Sequence, residues 1–138
     1  MIDPQDGTST PPGYGKVTHG PRGGLPRGDL FSPGCPTRWL LDRIGDKWTS
    51  MAIKVLADSH PVEVRFSELR RRMPGISQKM LSQTLRRLGA DSLIERRVEA
   101  TVPPSVYYSL TPLGLSLDQP LAGLREWAEL HVSEIESR

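Results

Sequence analysis

Cysteine is almost missing from this chain of 138 residues, which contains only Cys35. One thiol excludes an intrachain disulfide framework, and His19, His60 and His131 are too widely spaced to form a metal-ligand motif with it. The sequence also lacks a Cys-x-x-Cys pair and a convincing histidine partner for a nucleophilic thiol. We therefore expect no metal and no cofactor, and a thiol-dependent enzyme is disfavoured.

Long apolar runs are missing as well. No stretch approaches the roughly 20 apolar residues of a membrane-spanning helix, and no secretory hydrophobic segment follows the N-terminus. We therefore expect a cytoplasmic protein without membrane contact. The length suits a single domain with its own core.

The N-terminal quarter is rich in glycine and proline and poor in apolar residues. Residues 1–34 contain eight glycines and six prolines, and their three basic and three acidic residues cancel in charge. Such a segment cannot bury enough surface to offset the entropy lost on ordering. Residues 1–34 are therefore predicted to be a flexible arm, and residues 35–138 to form one domain.

Residues 66–88 have the most informative pattern, that of two short helices joined by a tight turn at Pro74-Gly75. Ser77 is a good N-cap for the second helix, which at about 100° per residue has an apolar and a polar side. A helix-turn-helix is built this way, with the apolar side on the core and the polar side in the DNA major groove. The apolar side holds Leu81, Leu85 and Leu88, with Met80 and Thr84 at its edge, and the polar side holds Gln78, Lys79, Ser82, Gln83, Arg86 and Arg87. The cap residue Ser77 is a further candidate DNA contact.

The polar side contains the residue types that bind nucleic acid. Glutamine pairs with adenine, arginine and lysine pair with guanine, and serine pairs with either. An ordinary surface helix also has a polar side, so the helix alone leaves both interpretations open. Charge favours DNA, because residues 65–97 carry nine Lys or Arg and three acids, whereas residues 111–138 have a net charge of −3. Arg70, Arg71 and Arg72 are predicted phosphate contacts.

Local signals predict the elements before this pair of helices. Pro36 suits the first position of an N-terminal helix that ends at Gly45, and Asp46 can cap the next helix. Residues 62–66 are predicted to form a short strand. Ser67 is the predicted N-cap of the first helix of the DNA-binding pair.

A hairpin is predicted after the second helix. Residues 93–101 and 105–110 are rich in Val, Ile and Tyr, and Val102-Pro103-Pro104 forms a stiff loop between them. The fold class is therefore mainly α with a small β-hairpin, in the winged helix-turn-helix arrangement. Arg96 and Arg97, at the base of the hairpin, are further candidate phosphate contacts. Tyr107 and Tyr108 should point to opposite faces.

Thr111-Pro112 has the cap signals of a last, long helix. Its apolar stripe is longer than a small domain with its own core requires, and this predicts packing against a partner subunit in a symmetric homodimer. Pro120 inside the helix predicts a kink. The stripe consists of Leu113, Leu117, Leu121, Leu124, Ala128, Val132 and Ile135, with Trp127 beside it.

Residues 35–128 together resemble the HxlR-type family of winged-helix transcriptional regulators, which are relatives of the MarR type. Several spaced motifs in the family's order make the resemblance specific. These are Cys35-Pro36, Ile44-Gly45-Asp46-Lys47-Trp48, Phe66-Ser67-Glu68-Leu69-Arg70, residues 74–81, Val102-Pro103-Pro104, residues 108–114 and Glu126-Trp127.

The resemblance implies a homodimeric regulator that binds a palindromic operator in double-stranded DNA. It also implies that the N-terminal and C-terminal helices form the dimer interface, which adds Trp39 and Leu40 to the interface residues. The family usually has Asp-Gly-Leu after the second DNA-binding helix, where this chain has Asp91-Ser92-Leu93. Either Ser92 adopts a positive φ or the helix ends earlier, at Gly89.

In several family members the cysteine at the position of Cys35 senses electrophiles or oxidants, so the resemblance implies a small electrophile or oxidant as effector. A helix N-terminus and Arg38, one turn further on, both favour the thiolate. The alternative is that Cys35 is a small residue that packs in the dimer interface.

Two classes of function remain. The first is a sequence-specific DNA-binding transcriptional regulator that acts as a homodimer. The alternative is a winged-helix interaction module that binds another protein through the same polar side, without specific DNA binding. The mixture of Arg, Lys and Gln favours the regulator, because phosphate and base contacts together need that mixture.

Overall fold

The computed structural model describes residue 32 and residues 34–137, so the predicted arm, residues 1–34, lies outside the described residues except for Ser32 and Gly34. The chain divides into two compact units, Met1–Asp42 and Arg43–Arg138. In chain order the elements are α1 (Pro36–Ile44), α2 (Lys47–Ser59), β1 (Val64–Arg65), α3 (Phe66–Arg71), α4 (Gln78–Ala90), β2 (Ile94–Glu99), β3 (Ser105–Leu110) and α5 (Pro112–Glu136).

The three strands form one antiparallel sheet in the order β1-β3-β2. Val64 lies opposite Tyr108 in the first pair, and Ile94 lies opposite Leu110 in the second. The predicted class, mainly α with a small β-hairpin in a winged helix-turn-helix, is confirmed. The strand predicted over residues 62–66 is shorter than expected and adds a third strand to the hairpin.

Three of the predicted N-caps are confirmed. Asp46 accepts the backbone N–H of Trp48, and the hydroxyls of Ser77 and Thr111 accept those of Met80 and Gly114. Each bond satisfies one of the free N–H groups at the start of its helix.

The prediction of Ser67 as a cap is wrong. Pairing of Val64 and Arg65 with Tyr108 and Tyr107 keeps the chain extended up to Arg65, and the helix begins at the next residue, Phe66. Ser67 is therefore already inside α3, and Arg65 occupies the cap position without a side-chain hydrogen bond.

The core of Arg43–Arg138 lies where α2, α3, α4 and the sheet meet. Burial of the core side chains removes apolar surface from water, and so it fixes which side of α4 faces inward. The largest fully buried aliphatic side chains of the core are Ile53, Leu56, Leu69, Met73, Leu81 and Leu88.

Ser92 decides between the two predicted ends of α4. The helix runs to Ala90, and Ser92 adopts a φ of 61°, in the left-handed region. The N–H of Ser92 donates to the carbonyl of Gly89 and that of Leu93 to the carbonyl of Leu88, as in a Schellman motif. The first alternative is confirmed: serine stands where glycine is the unstrained residue.

Helix α5 has two halves with different surroundings. The first half packs on the core through Gly114 and Leu121, and the helix continues through Pro120. No residue of the described part of α5 after Leu121 is buried. The second half therefore adds little to the core of its own chain.

Candidate nucleic-acid interface

Helix α4 presents a polar surface on the side away from the core. Leu81, Thr84, Leu85 and Leu88 are buried, which directs the opposite side outward. Within the described residues, none of the outward side chains has a hydrogen bond or ion pair to the rest of the chain. These residues, called here the α4 polar face, are Gln78, Lys79, Ser82, Gln83 and Arg86; Ser82 is half-buried and the others are exposed.

Arg87 does not belong to this face, although the sequence placed it there. Its Nη2 donates to Oδ2 of Asp46 at 2.7 Å and to the Thr49 hydroxyl at 3.0 Å, both on the side of α2. Arg87 lies about 100° around the helix from Arg86. This rotation turns its side chain away from the α4 polar face and toward α2. Its charge ties α4 to the cap of α2 instead of facing outward.

The three consecutive arginines have different environments. Arg70 is exposed and has no ion pair within the described residues, whereas Arg71 is paired with Glu68, with 3.0 Å between Nε and Oε1. Arg72 is half-buried and donates to the Ser59 hydroxyl at 2.9 Å. A cleft of about 440 Å³ between α3 and the start of α4 is lined by Phe66, Ser67, Arg70, Arg71 and Gln78. Of the three, Arg70 and Arg71 face this cleft with Gln78.

The two arginines of the wing, β2 and β3, lie on opposite faces of the sheet. Arg96 pairs in register with buried Tyr108, and Arg97 pairs with half-buried Tyr107, which confirms that the two tyrosines point apart. Arg96 shares a cleft of about 590 Å³ with Arg86 and Ser82, between α4 and the wing. Nε of Arg97 instead donates to both carboxylate oxygens of Glu63, at 2.9 and 3.0 Å.

These two ion pairs keep their acids charged. The hydrogen bond from Arg97 lowers the pKa of Glu63 below its usual 4.5, and the hydrogen bond from Arg71 does the same to the pKa of Glu68. The same bonds raise the pKa values of Arg71 and Arg97. Part of the positive charge predicted to face DNA is thus already balanced within the chain. Within the described residues, Arg70, Lys79, Arg86 and Arg96 form no such ion pair.

The interface residues predicted on α5 fall into two groups. Leu121 is 4% exposed and belongs to the core of its own chain, and Leu117 packs against that core. Leu121, predicted in the dimer interface, is therefore a core residue of its own chain, because the first half of α5 lies on β3 and α2. Leu124, Trp127 and Val132 are exposed, and Ala128 is half-buried.

Sequence reasoning missed part of the exposed apolar surface. Leu130 is 67% exposed, and Leu41 and Met51 are also exposed. Leu130 lies off the predicted stripe, and no local signal distinguishes Leu41 or Met51 from core residues of their helices.

The first unit contains the predicted interface residues of α1 and the predicted thiol sensor. In α1, Trp39 is exposed and Leu40 is half-buried. Cys35 precedes the helix and is fully buried, with its N–H donating to the carbonyl of Ser32 at 3.0 Å. Its thiol is therefore closed to solvent in this conformation, unlike the partly exposed thiols that react readily.

In the described part of the chain, no group of His, Cys, Asp or Glu side chains could hold a metal ion. No helix in the same part of the chain is long and apolar enough to cross a membrane.

Comparison with known proteins connects this geometry to a family. The model of the HxlR-like helix-turn-helix family matches residues 43–136. The chain is 39% identical over 111 residues to the uncharacterized HTH-type transcriptional regulator YtfH of Escherichia coli (strain K12), which covers 80% of this chain and 86% of YtfH.

Solved structures agree with this match. The ytfH protein from Salmonella typhimurium has a TM-score of 0.70 and 38% identity, over 79% of this chain and 95% of that protein. The redox regulator HypR in its reduced form has a TM-score of 0.68 and 39% identity, over 75% of this chain and 99% of HypR. The matched relatives are regulators and not enzymes, and the family match spans the helix-turn-helix and the wing. This protein therefore belongs to the HxlR-like helix-turn-helix family of transcriptional regulators.

Proposed function

We propose that the protein is a sequence-specific DNA-binding regulator that acts as a homodimer on a palindromic duplex operator. The observation that carries this proposal is the α4 polar face, whose side chains have no partner in the described chain while the opposite side of α4 is fixed in the core. Base-reading groups on a rigid helix are what direct readout in the major groove requires. A regulator of this kind works where the DNA is, so the proposal places it in the cytoplasm.

Most of the predicted contacts have a role in this proposal. Gln78, Lys79 and Arg86 are placed toward base edges, and Arg70 and Arg96 toward phosphates on either side of the groove. Ser82 and Gln83 extend the base-reading set. Ser77 stays at the groove entrance as the N-cap of α4, and Arg71 reaches a phosphate only by leaving Glu68. Arg72, Arg87 and Arg97 are occupied inside the chain and are not assigned to DNA.

The homodimer is supported by the second half of α5. Leu124, Trp127 and Ile135 are 56%, 53% and 55% exposed, on a helix with no fully buried residue after Leu121 in its described part. Contiguous apolar surface of this kind commonly marks a protein interface. A second copy of the chain suits it, because a two-fold pair would set two α4 helices one helical turn of DNA apart.

Adjacent arginines allow a matched test of the DNA-binding face. Arg86→Ala should weaken operator binding by about 1–3 kcal/mol per half-site and relax base preference at one position. Arg87→Ala should leave base preference unchanged and reduce stability by about 1 kcal/mol, because it breaks the bonds to Asp46 and Thr49. The measurements are fluorescence anisotropy with operator variants and urea unfolding.

The opposite result would contradict the proposal. Loss of base preference in Arg87→Ala with normal preference in Arg86→Ala would place the wrong side of α4 in the groove. Normal binding by both variants would leave the interaction module as the better interpretation.

We also propose that the regulator responds to oxidants or electrophiles through Cys35. The support is the likeness to the redox regulator HypR and the place of Cys35 before a helix N-terminus. With one cysteine per chain, a disulfide must join two copies or a small thiol. Two thiols then lose two electrons and two protons to hydrogen peroxide, which is reduced to two molecules of water. Because Cys35 is fully buried, its segment must open before the thiol reacts.

The test of this response is DNA affinity before and after treatment with peroxide or a quinone, for the wild type and Cys35→Ser. The wild type alone should change. Equal affinity in all four samples would make Cys35 a packing residue.

A further inference from the structure

Arg97, on β2, forms an ion pair with Glu63 on the far side of the sheet. Its Nη2 lies 2.8 Å from Oε1 of Glu63, in addition to the two bonds from Nε, so the carboxylate is held by two nitrogens of the guanidinium. Glu63 immediately precedes β1, and β1 is separated from β2 by β3. The side chain of Arg97 therefore spans β3 to reach the strand that leads into α3.

The guanidinium of Arg97 also packs on the aromatic ring of Tyr107. The register places Arg65, Tyr107 and Arg97 in one row across the three strands. The guanidinium of Arg97 lies 4.6 Å from the ring centroid of Tyr107, and that of Arg65 lies 6.0 Å from it. Arg97 is thus held at its donors by a carboxylate and at its planar face by a ring.

Besides this contact, β1 is joined to the wing on the same face by the hydrogen bond from Arg65 to the Ser105 hydroxyl, at 3.0 Å. Ile94 is the one buried residue of β2 and lies on the opposite face with Arg96, and residues 100–104, between β2 and β3, are exposed. β1 pairs with β3 through two residues. The contact between Arg97 and Glu63 therefore connects the outer strand of the wing directly to the start of the helix-turn-helix.

We infer that Arg97 is a positioning residue of the wing, which acts through Glu63 and Tyr107 and does not bind phosphate. The inference rests on the proposed DNA-binding function. Arg96, the next residue on the opposite face, shares the cleft with Arg86. Fixing β2 from behind keeps Arg96 beside the α4 polar face, so that wing and helix meet the DNA as one surface.

The test compares Glu63→Gln, Arg97→Gln, the double variant and Arg96→Gln as full chains. The first measurement is amide hydrogen exchange in residues 95–104 without DNA. The second is binding to a labelled duplex of about 30 base pairs, enough for two half-sites one turn apart, over a series of salt concentrations. Urea unfolding checks that each variant is folded, which we expect because both side chains are partly exposed.

Glu63→Gln and Arg97→Gln should each speed exchange in the wing and weaken binding by about three- to tenfold, and the double variant should be no worse than either. Neither should change the slope of log affinity against log salt concentration. Arg96→Gln should leave exchange unchanged and reduce that slope by about 0.9 for every phosphate that Arg96 neutralises in the wild type.

The inference is overturned if Arg97→Gln reduces the salt slope as Arg96→Gln does, or if exchange in the wing is unchanged in both Glu63→Gln and Arg97→Gln. If the wild type binds no duplex even at low salt, the proposed function has failed. The exchange measurement then decides alone whether Arg97 fixes the wing.

Discussion

Gly114 and Gly123 lie in the same helix, but only Gly114 faces another stretch of backbone. A Cβ at Gly114 would lie 2.0 Å from the carbonyl oxygen of Leu93, whereas a Cβ at Gly123 would have nothing within 4 Å. Because the obstacle at Gly114 is backbone, a rotamer change cannot relieve it. The residue therefore fixes how closely α5 approaches the start of β2.

This difference predicts opposite effects of the same substitution. Gly114→Ala should destabilise the fold by about 2–4 kcal/mol, since α5 must move away from Leu93. Gly123→Ala should stabilise it by about 0.5–1 kcal/mol through helix propensity, because the added methyl group enters open space. Urea unfolding of both variants checks this, and equal stability of the two would contradict the close approach.

At the scale of elements, the Glu63–Arg97 connection should depend on pH in a defined direction. The pKa of Glu63 is lowered from 4.5 by its hydrogen bond from Arg97, with Glu99 and Tyr107 as the other titratable groups around Arg97. The stabilisation from this carboxylate is therefore complete above 4.5 and is lost as the pH falls through the lowered pKa. A carboxyl-carbon NMR titration should give Glu63 a midpoint below 4.5, and Arg97→Gln should move the midpoint upward. A midpoint that Arg97→Gln leaves unchanged would contradict the pair.

Elements could be predicted where their signals are local. Asp46, Ser77 and Thr111 cap their helices through bonds to residues two or three positions away, so the pattern is contained in a short stretch of sequence. For Ser92 the sequence left two alternatives, a positive φ or an earlier end of the helix at Gly89, because the conformation of Ser92 depends on how the preceding helix ends. The φ of 61° at Ser92 and the two backbone hydrogen bonds that close the end of α4 distinguish between them.

Which arginines form ion pairs inside the chain could not be predicted, because the partners of these arginines are distant in sequence. Arg87 binds Asp46 at a separation of 41 residues, and Arg97 binds Glu63 at a separation of 34. A helical wheel gives the side of a helix but not the neighbour on that side. For the same reason, the stripe on α5 did not show that Leu121 belongs to the chain's own core.

At the scale of the whole molecule, the exposed apolar side chains in the second half of α5 predict how the proposed dimer can be broken. Leu124→Asp should place an uncompensated charge in the proposed interface and weaken dimerisation by about 3 kcal/mol or more. Ser133→Asp is the matched control, because nine residues further on it lies about 180° around the helix and is exposed. Light scattering at micromolar concentration should show monomers for Leu124→Asp and dimers for Ser133→Asp and the wild type. Monomers in the wild type, with DNA binding intact, would contradict the dimer.

In the proposed complex, two copies of α4 read a two-fold DNA sequence. Selection of duplexes from a random library by the purified wild-type protein, followed by the stoichiometry of the complex, tests this most directly. We expect an enriched inverted repeat with half-site centres about 10 base pairs apart, or a multiple of that, bound by two chains. A pool that is not enriched in any sequence, or an enriched single site bound by one chain, would contradict it.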